Sequence, residues 1–209
     1  MDLMPTHPQL ILMPLLINNV NMKNLKLLLC FSLTTILLAA SCKKSKPGAA
    51  LTELEKLPPI TQTGANTFGC LVDGKAWLPN GSKPQTGGPN IQVYIDPTFQ
   101  GGRFSITGHQ YNIPGSDISI GSANCTSGGI FNLSNSATLA GYYKTMLGSL
   151  SCQLSSTDVG TFKIGFLNIT KYDLAAGIFS GTFEFKLFNP QSLCSDTVRI
   201  TDGRFDVKL

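Results

Sequence analysis

From Thr67 to the last residue, apolar and polar side chains alternate with period two, the pattern of strands that bury one face. Thr67–Val72, the pair Asp73-Gly74 and residues 75–78 predict a hairpin, because Asp-Gly tolerates the positive φ of a tight type I′ turn. Residues 91–95 alternate cleanly, as do Phe104 and Ile106, Ile118 and Ile120, and Phe131 and Leu133. Phe162, Ile164 and Phe166 share one face, with Thr161, Lys163 and Gly165 on the other. The longest predicted strand, 178–187, puts Phe179, Phe183, Phe185 and Leu187 on one side and Ser180, Thr182, Glu184 and Lys186 on the other. Residues 198–200, an Asp202-Gly203 bend or bulge, and Phe205, Val207 and Leu209 in alternation complete the chain. No helical stripe of useful length interrupts these strands. About ten of them predict an all-β domain over 67–209. An antiparallel β-sandwich is the first choice, because one face of each strand is polar; a lipocalin-like β-barrel is the alternative.

The pattern before Thr67 is different. Met22-Lys23-Asn24-Leu25-Lys26 reads as a start with a positive segment, and residues 27–40 form a Leu-rich run. Fourteen helical residues span about 21 Å, short of the roughly 30 Å of a bilayer core, so the run predicts a signal peptide over 22–41 and not a membrane span. Leu38-Ala39-Ala40-Ser41-Cys42 resembles the lipobox of bacterial lipoproteins. The resemblance implies cleavage between Ser41 and Cys42 and acylation of Cys42, so that the lipid bilayer is a partner through that residue. Residues 1–21 read as an N-terminal extension from a wrongly assigned start. Residues 42–66 read as the lipidated cysteine and a flexible tether rich in Lys, Pro, Gly and Thr, in which Pro58-Pro59 stops any short helix over 51–57.

Only 13% of residues are charged, about half the usual share, and from Leu57 onward ten Lys and Arg face nine Asp and Glu. Such a domain has no basic patch for a phosphate backbone, which excludes nucleic acid as a natural partner. Cys70, Cys125, Cys152 and Cys194 remain once Cys30 and Cys42 are set aside. Four cysteines in an oxidising compartment predict two disulfides of unknown pairing, each stabilising by roughly 2–4 kcal/mol. No C-x-x-C pair marks a metal site.

Two segments carry a wider likeness. Leu57-Pro58-Pro59-Ile60-Thr61-Gln62-Thr63-Gly64-Ala65-Asn66-Thr67-Phe68-Gly69-Cys70-Leu71-Val72-Asp73-Gly74-Lys75-Ala76-Trp77 is similar to the start of an uncharacterised family of Bacteroidota lipoproteins. Gly181-Thr182-Phe183-Glu184-Phe185 and Ile200-Thr201-Asp202-Gly203-Arg204-Phe205-Asp206-Val207 are similar to its end. The resemblance implies a source and a compartment but no activity. Lys43-Lys44-Ser45-Lys46, in place of the acidic residues that mark surface export in that phylum, implies an outer-membrane lipoprotein facing the periplasm. Asp196-Thr197-Val198 resembles the O-glycosylation motif of the same bacteria, making Thr197 a candidate acceptor.

Catalytic chemistry is sparse. After the signal peptide the chain has one histidine, His109, and it carries no G-x-S-x-G, H-E-x-x-H or P-loop motif. Glu184 reads as an outward solvated residue, and Asp73 and Asp202 as turn formers. Asp96, Asp117 and Asp158 likewise suit turn roles. No catalytic residue, metal or cofactor is predicted. Trp77, Tyr94, Tyr111, Tyr142 and Tyr143 are the candidate ligand aromatics, since amphipathic rings stack on sugars. The expectation is a non-enzymatic envelope lipoprotein that binds or scaffolds, with a glycan or an envelope protein as partner. The alternative is a carbohydrate- or small-ligand-binding module, and a hydrolase ranks third.

Overall fold

A computed structural model of the chain describes residues 50–112, 114–145, 151–192 and 196–209. The signal peptide, Ser41, Cys42 and Cys194 lie outside the described residues. Eleven strands are present: β1 (Thr67–Val72), β2 (Lys75–Trp77), β3 (Ile91–Asp96), β4 (Arg103–Gln110), β5 (Ser116–Ala123), β6 (Gly129–Asn132), β7 (Thr138–Thr145), β8 (Ser151–Ser155), β9 (Phe162–Asp173), β10 (Ile178–Phe188) and β11 (Thr197–Lys208). They form a six-stranded sheet in the order β2-β1-β11-β10-β9-β6 and a five-stranded sheet in the order β3-β4-β5-β7-β8. Neither sheet closes on itself, so the fold is a β-sandwich and the barrel alternative is set aside. Every pairing between these strands is antiparallel.

The predicted hairpin forms as expected. Asp73 and Gly74 take φ of 49° and 80°, and Val72 pairs with Lys75 across the turn. Between the sheets lie Phe104, Ile106, Ile118 and Ile120 from one side, and Phe179, Phe183, Phe185, Leu187 and Ile200 from the other, all at most 2% exposed. Phe104 joins the layers, with its ring centroid 5.6 Å from that of Phe205 and 6.2 Å from that of Phe179. Each such side chain stabilises the fold by about 1.5–3 kcal/mol.

The strand count departs from the expected ten for two reasons. The runs on either side of Asp202-Gly203 are one strand, β11, with a register shift against β10. Asp202 there has φ of 54°, and the shift moves burial from the even positions 198 and 200 to the odd positions 205 and 207. The pattern also missed β7 and β8, whose small and polar residues alternate weakly.

On β9 the alternation is present but its apolar half faces out. Phe162 and Ile164 are 68% and 63% exposed, while Leu167 and Ile169 on the opposite parity are buried. Lys163 points between the sheets instead and donates from Nζ to the Thr138 carbonyl at 2.7 Å; burial pushes its ammonium below the usual value.

The predicted tether over 42–66 must be shortened. Within its described part, Glu53 accepts from the Ala76 amide at 2.8 Å, Leu57 is buried, and Arg204 donates to the Pro58 carbonyl. Asp206, 1% exposed, then binds 61–65. Its Oδ2 accepts from the Thr61 hydroxyl (2.6 Å), the Thr63 amide (3.0 Å) and hydroxyl (3.2 Å) and the Ala65 amide (3.2 Å). Its Oδ1 accepts from the Gly64 amide (2.8 Å) and the Ser180 hydroxyl (2.7 Å). Burial pushes this carboxyl upward, but the hydrogen bonds from Thr61, Ser180, Thr63 and Gly64 outweigh it and hold the group well below the usual carboxylate range. The compact unit begins at Ala50, not at Thr67.

The cysteines also need correction. Cys70 and Cys125 are free and fully buried, so two of the four candidates make no disulfide. They behave as small apolar side chains. Cys152 is buried and is not among the free cysteines.

Candidate functional site

The outer face of the five-stranded sheet is a grid set by strand register. One row runs His109–Asp117–Tyr143–Gln153 across β4, β5, β7 and β8. The next runs Gln92–Thr107–Ser119–Gly141–Ser155 from β3 to β8. A third runs Tyr94–Ser105–Gly121–Leu139. Because β-strands alternate, the partners of these residues, such as Ile106, Ile118, Ile120 and Ala140, fill the core, and the outward set is free to be polar.

Small residues at the centre leave a shallow groove of about 280 Å³, lined by Thr107, Asp117, Ser119, Gly141, Tyr143 and Gln153 among others. Its depth depends on glycine: a Cβ on Gly141 would sit 2.9 Å from the Ser119 hydroxyl, and one on Gly121 would sit 2.6 Å from the Phe104 carbonyl. The lining offers hydroxyls, an amide, a carboxylate and a phenol ring, and no cation. Such a set suits a neutral ligand rich in hydroxyl groups.

At the end of the first row, His109 Nδ1 lies 2.9 Å from Asp117 Oδ1, and Tyr111 stacks on the imidazole at 5.2 Å with 15° between planes. Asp117 therefore serves a strand pair and not the turn expected of it. Burial and, second, the Asp117 charge push the Tyr111 phenol above its ordinary value. With Nδ1 turned to the carboxylate, the other ring nitrogen, Nε2, is buried and has no hydrogen-bond partner among the described residues. A general base needs that nitrogen within reach of a nucleophile and a substrate, and among the described residues no group hydrogen-bonds to it.

The five candidate aromatics divide. Tyr94 is 49% exposed on the outer face, with the Arg103 guanidinium 5.4 Å from its ring centre. Tyr143 lies in the groove, and Tyr111 flanks it through His109. Trp77 and Tyr142 are corrections. Trp77 is 6% exposed, packs edge-on against Phe68, and donates its indole N–H to the Ser116 hydroxyl at 2.8 Å. Tyr142 pairs with Ile118 and Leu154 on the inward side and packs against the core. Sequence reasoning missed Ser119, Gly141 and Gln153, because β7 and β8 were not recognised and the grid could not be assembled without them. The Gly141–Tyr143 spacing was the one usable signal.

A larger cavity, about 740 Å³, lies along the open seam between β3 and the end of β11. Pro89, Ile91, Val93, Val207 and Leu209 dominate its lining, and Asn66 there already accepts from the Lys208 amide. Volume alone does not make it the better site, since few side-chain polar groups converge on it. Thr197, the candidate glycosylation residue, opens β11 and is half-buried. No protein-family model, curated protein or solved structure matches this chain.

Proposed function

We propose that this chain is a bacterial envelope lipoprotein, anchored through Cys42 in the outer membrane and facing the periplasm, which acts by binding rather than by catalysis. Its ligand surface is the outer face of the five-stranded sheet, and its ligand is a neutral, polyhydroxylated molecule of the oligosaccharide class. The observation that carries the binding reading is the glycine-floored groove walled by Tyr143, with Thr107, Ser119 and Gln153 placed to hydrogen-bond and no cation among them. The buried Nε2 of His109 supports a non-catalytic role. The signal, the small residues before Cys42 and the likeness to Bacteroidota lipoproteins support the anchor and the compartment.

Isothermal titration of the wild type against a panel of soluble envelope oligosaccharides tests the site, with Tyr143→Ala and Gly141→Val as probes. Binding that falls about ten-fold or more in both variants is the expected result, since a stacked ring and a filled groove each remove more than about 1.4 kcal/mol. Absence of binding across the panel overturns the ligand class. Binding lost in Val93→Arg but kept in both groove variants moves the site to the seam. Failure of labelled palmitate to enter the wild type overturns the anchor independently.

A further inference from the structure

The outward half of β9 leaves Phe162 and Ile164 exposed and Phe166 half-buried, beside half-buried Phe188 on β10 and exposed Ile130 on β6. Ile130 is 74% exposed, and the Phe162 and Phe188 ring centres are 6.2 Å apart. Register sets the charges next to them. Ile164 pairs with Lys186 and Lys186 with Arg199; Phe166 pairs with Glu184. The apolar and charged sides meet in a groove of about 360 Å³ lined by Ile164, Phe166, Glu184, Lys186, Arg199 and Thr201. Glu184, Lys186 and Arg199 enter no ion pair among the described residues. A monomer gains nothing by holding this many large apolar side chains in water.

We propose that this face of the six-stranded sheet binds a second copy of the chain, face to face, about a two-fold axis that crosses the strands between the Ile164–Lys186 row and the Phe166–Glu184 row. That axis keeps each strand over its own copy and reverses the rows. Ile164 then meets Phe166 of the other copy, and Lys186 meets Glu184 of the other copy. Each contact occurs twice, as an isologous interface requires. One acid and one base two residues apart on one strand make the face self-complementary, whereas a basic or acidic partner would be repelled by one of them. Four strands about 4.8 Å apart and four rows about 7 Å apart give a footprint of roughly 500 Å² per copy, at the lower end for specific association. The dimer is therefore weak and reversible, in the micromolar range.

The compact unit Ala50–Leu209 holds both sheets and the described core, so it serves for sedimentation velocity up to about 100 μM. The wild type is expected to dimerise. Glu184→Lys and Lys186→Glu each juxtapose like charges and are expected to raise the dissociation constant about ten-fold. The double variant E184K/K186E restores the pairing and should recover the wild-type constant, and Ile164→Asp should leave a monomer. Far-UV circular dichroism confirms that each variant is folded. A wild type that stays monomeric, or a double variant no better than either single one, overturns the proposal. So does a monomeric wild type that floats with phosphatidylglycerol–phosphatidylethanolamine vesicles, which would give the face to a bilayer.

Discussion

Replacing Asp206 by alanine removes the acceptor for six donors at once. Three are hydroxyls, of Thr61, Thr63 and Ser180, which can rotate to other partners. Three are backbone amides, of Thr63, Gly64 and Ala65, which cannot. Each makes a partly buried bond to a charged acceptor that contributes about 1 kcal/mol or more, so the loss is about 3–4 kcal/mol. It is capped by the cost of undocking 61–65 into water. For a domain of this size that loss lowers Tm by roughly 6–16 °C. Amide exchange at 61–65 should rise with it, because this carboxylate accepts from three of the segment's amides. The charge also gives a pH signature. The folded pKa is depressed, so the contribution is complete above the ordinary carboxyl value of 3.8 and is lost as pH falls from there toward the folded value. Below about pH 4 the wild type should lose stability at up to about 1.4 kcal/mol per pH unit from this group, while Asp206→Asn lacks that component. A Tm within 2 °C of wild type for Asp206→Ala, together with unchanged exchange at 61–65, would refute the reasoning.

Ser116→Ala leaves the Trp77 indole N–H buried without its acceptor and should cost about 1–2 kcal/mol in urea unfolding, with Trp77 fluorescence still that of a buried ring. Cys70 and Cys125 should resist alkylation in the native protein at pH 8 and react on unfolding: burial pushes both thiols up, that of Cys125 to about 11, and rapid native labelling would contradict this. Gly203→Ala and Gly74→Ala should differ sharply. A Cβ on Gly203 would lie 2.5 Å from the Phe183 ring, costing about 2–3 kcal/mol or preventing folding, whereas one on Gly74 meets nothing and costs about 1 kcal/mol through its positive φ alone. Thermal melts of the two variants provide the comparison.

The sandwich was legible because its long strands carry large apolar residues on one parity, as Phe179, Phe183, Phe185 and Leu187 do. The hairpin at Asp73-Gly74 was legible because its turn needs positive φ. What escaped reading depends on non-local partners. β9 looks like a strand with an apolar core face until its neighbours show that Leu167 and Ile169 occupy the interior. The stretch around Thr61 looks like a loose tether because no local pattern reveals a carboxylate 145 residues away in sequence. Trp77 sits beside a tight turn where a ring can face either way, and its burial against Phe68 and Ser116 agrees with the usual core position of a strand tryptophan. The groove suffered most, since Gly141, Tyr143 and Gln153 belong to β7 and β8, strands with too few large side chains to announce themselves.

The order β2-β1-β11-β10 sets the final strand in the middle of its sheet. Phe68, near the start of the unit, pairs with Phe205, 137 positions further along the chain. The strand at the centre of the sheet is thus separated from β1 by almost the whole unit, and closing so long a loop makes that pairing slow. Until β11 docks, β1 lacks its principal neighbour. Removing even the last turn of β-structure would cost the protein its keystone and not merely a frayed edge.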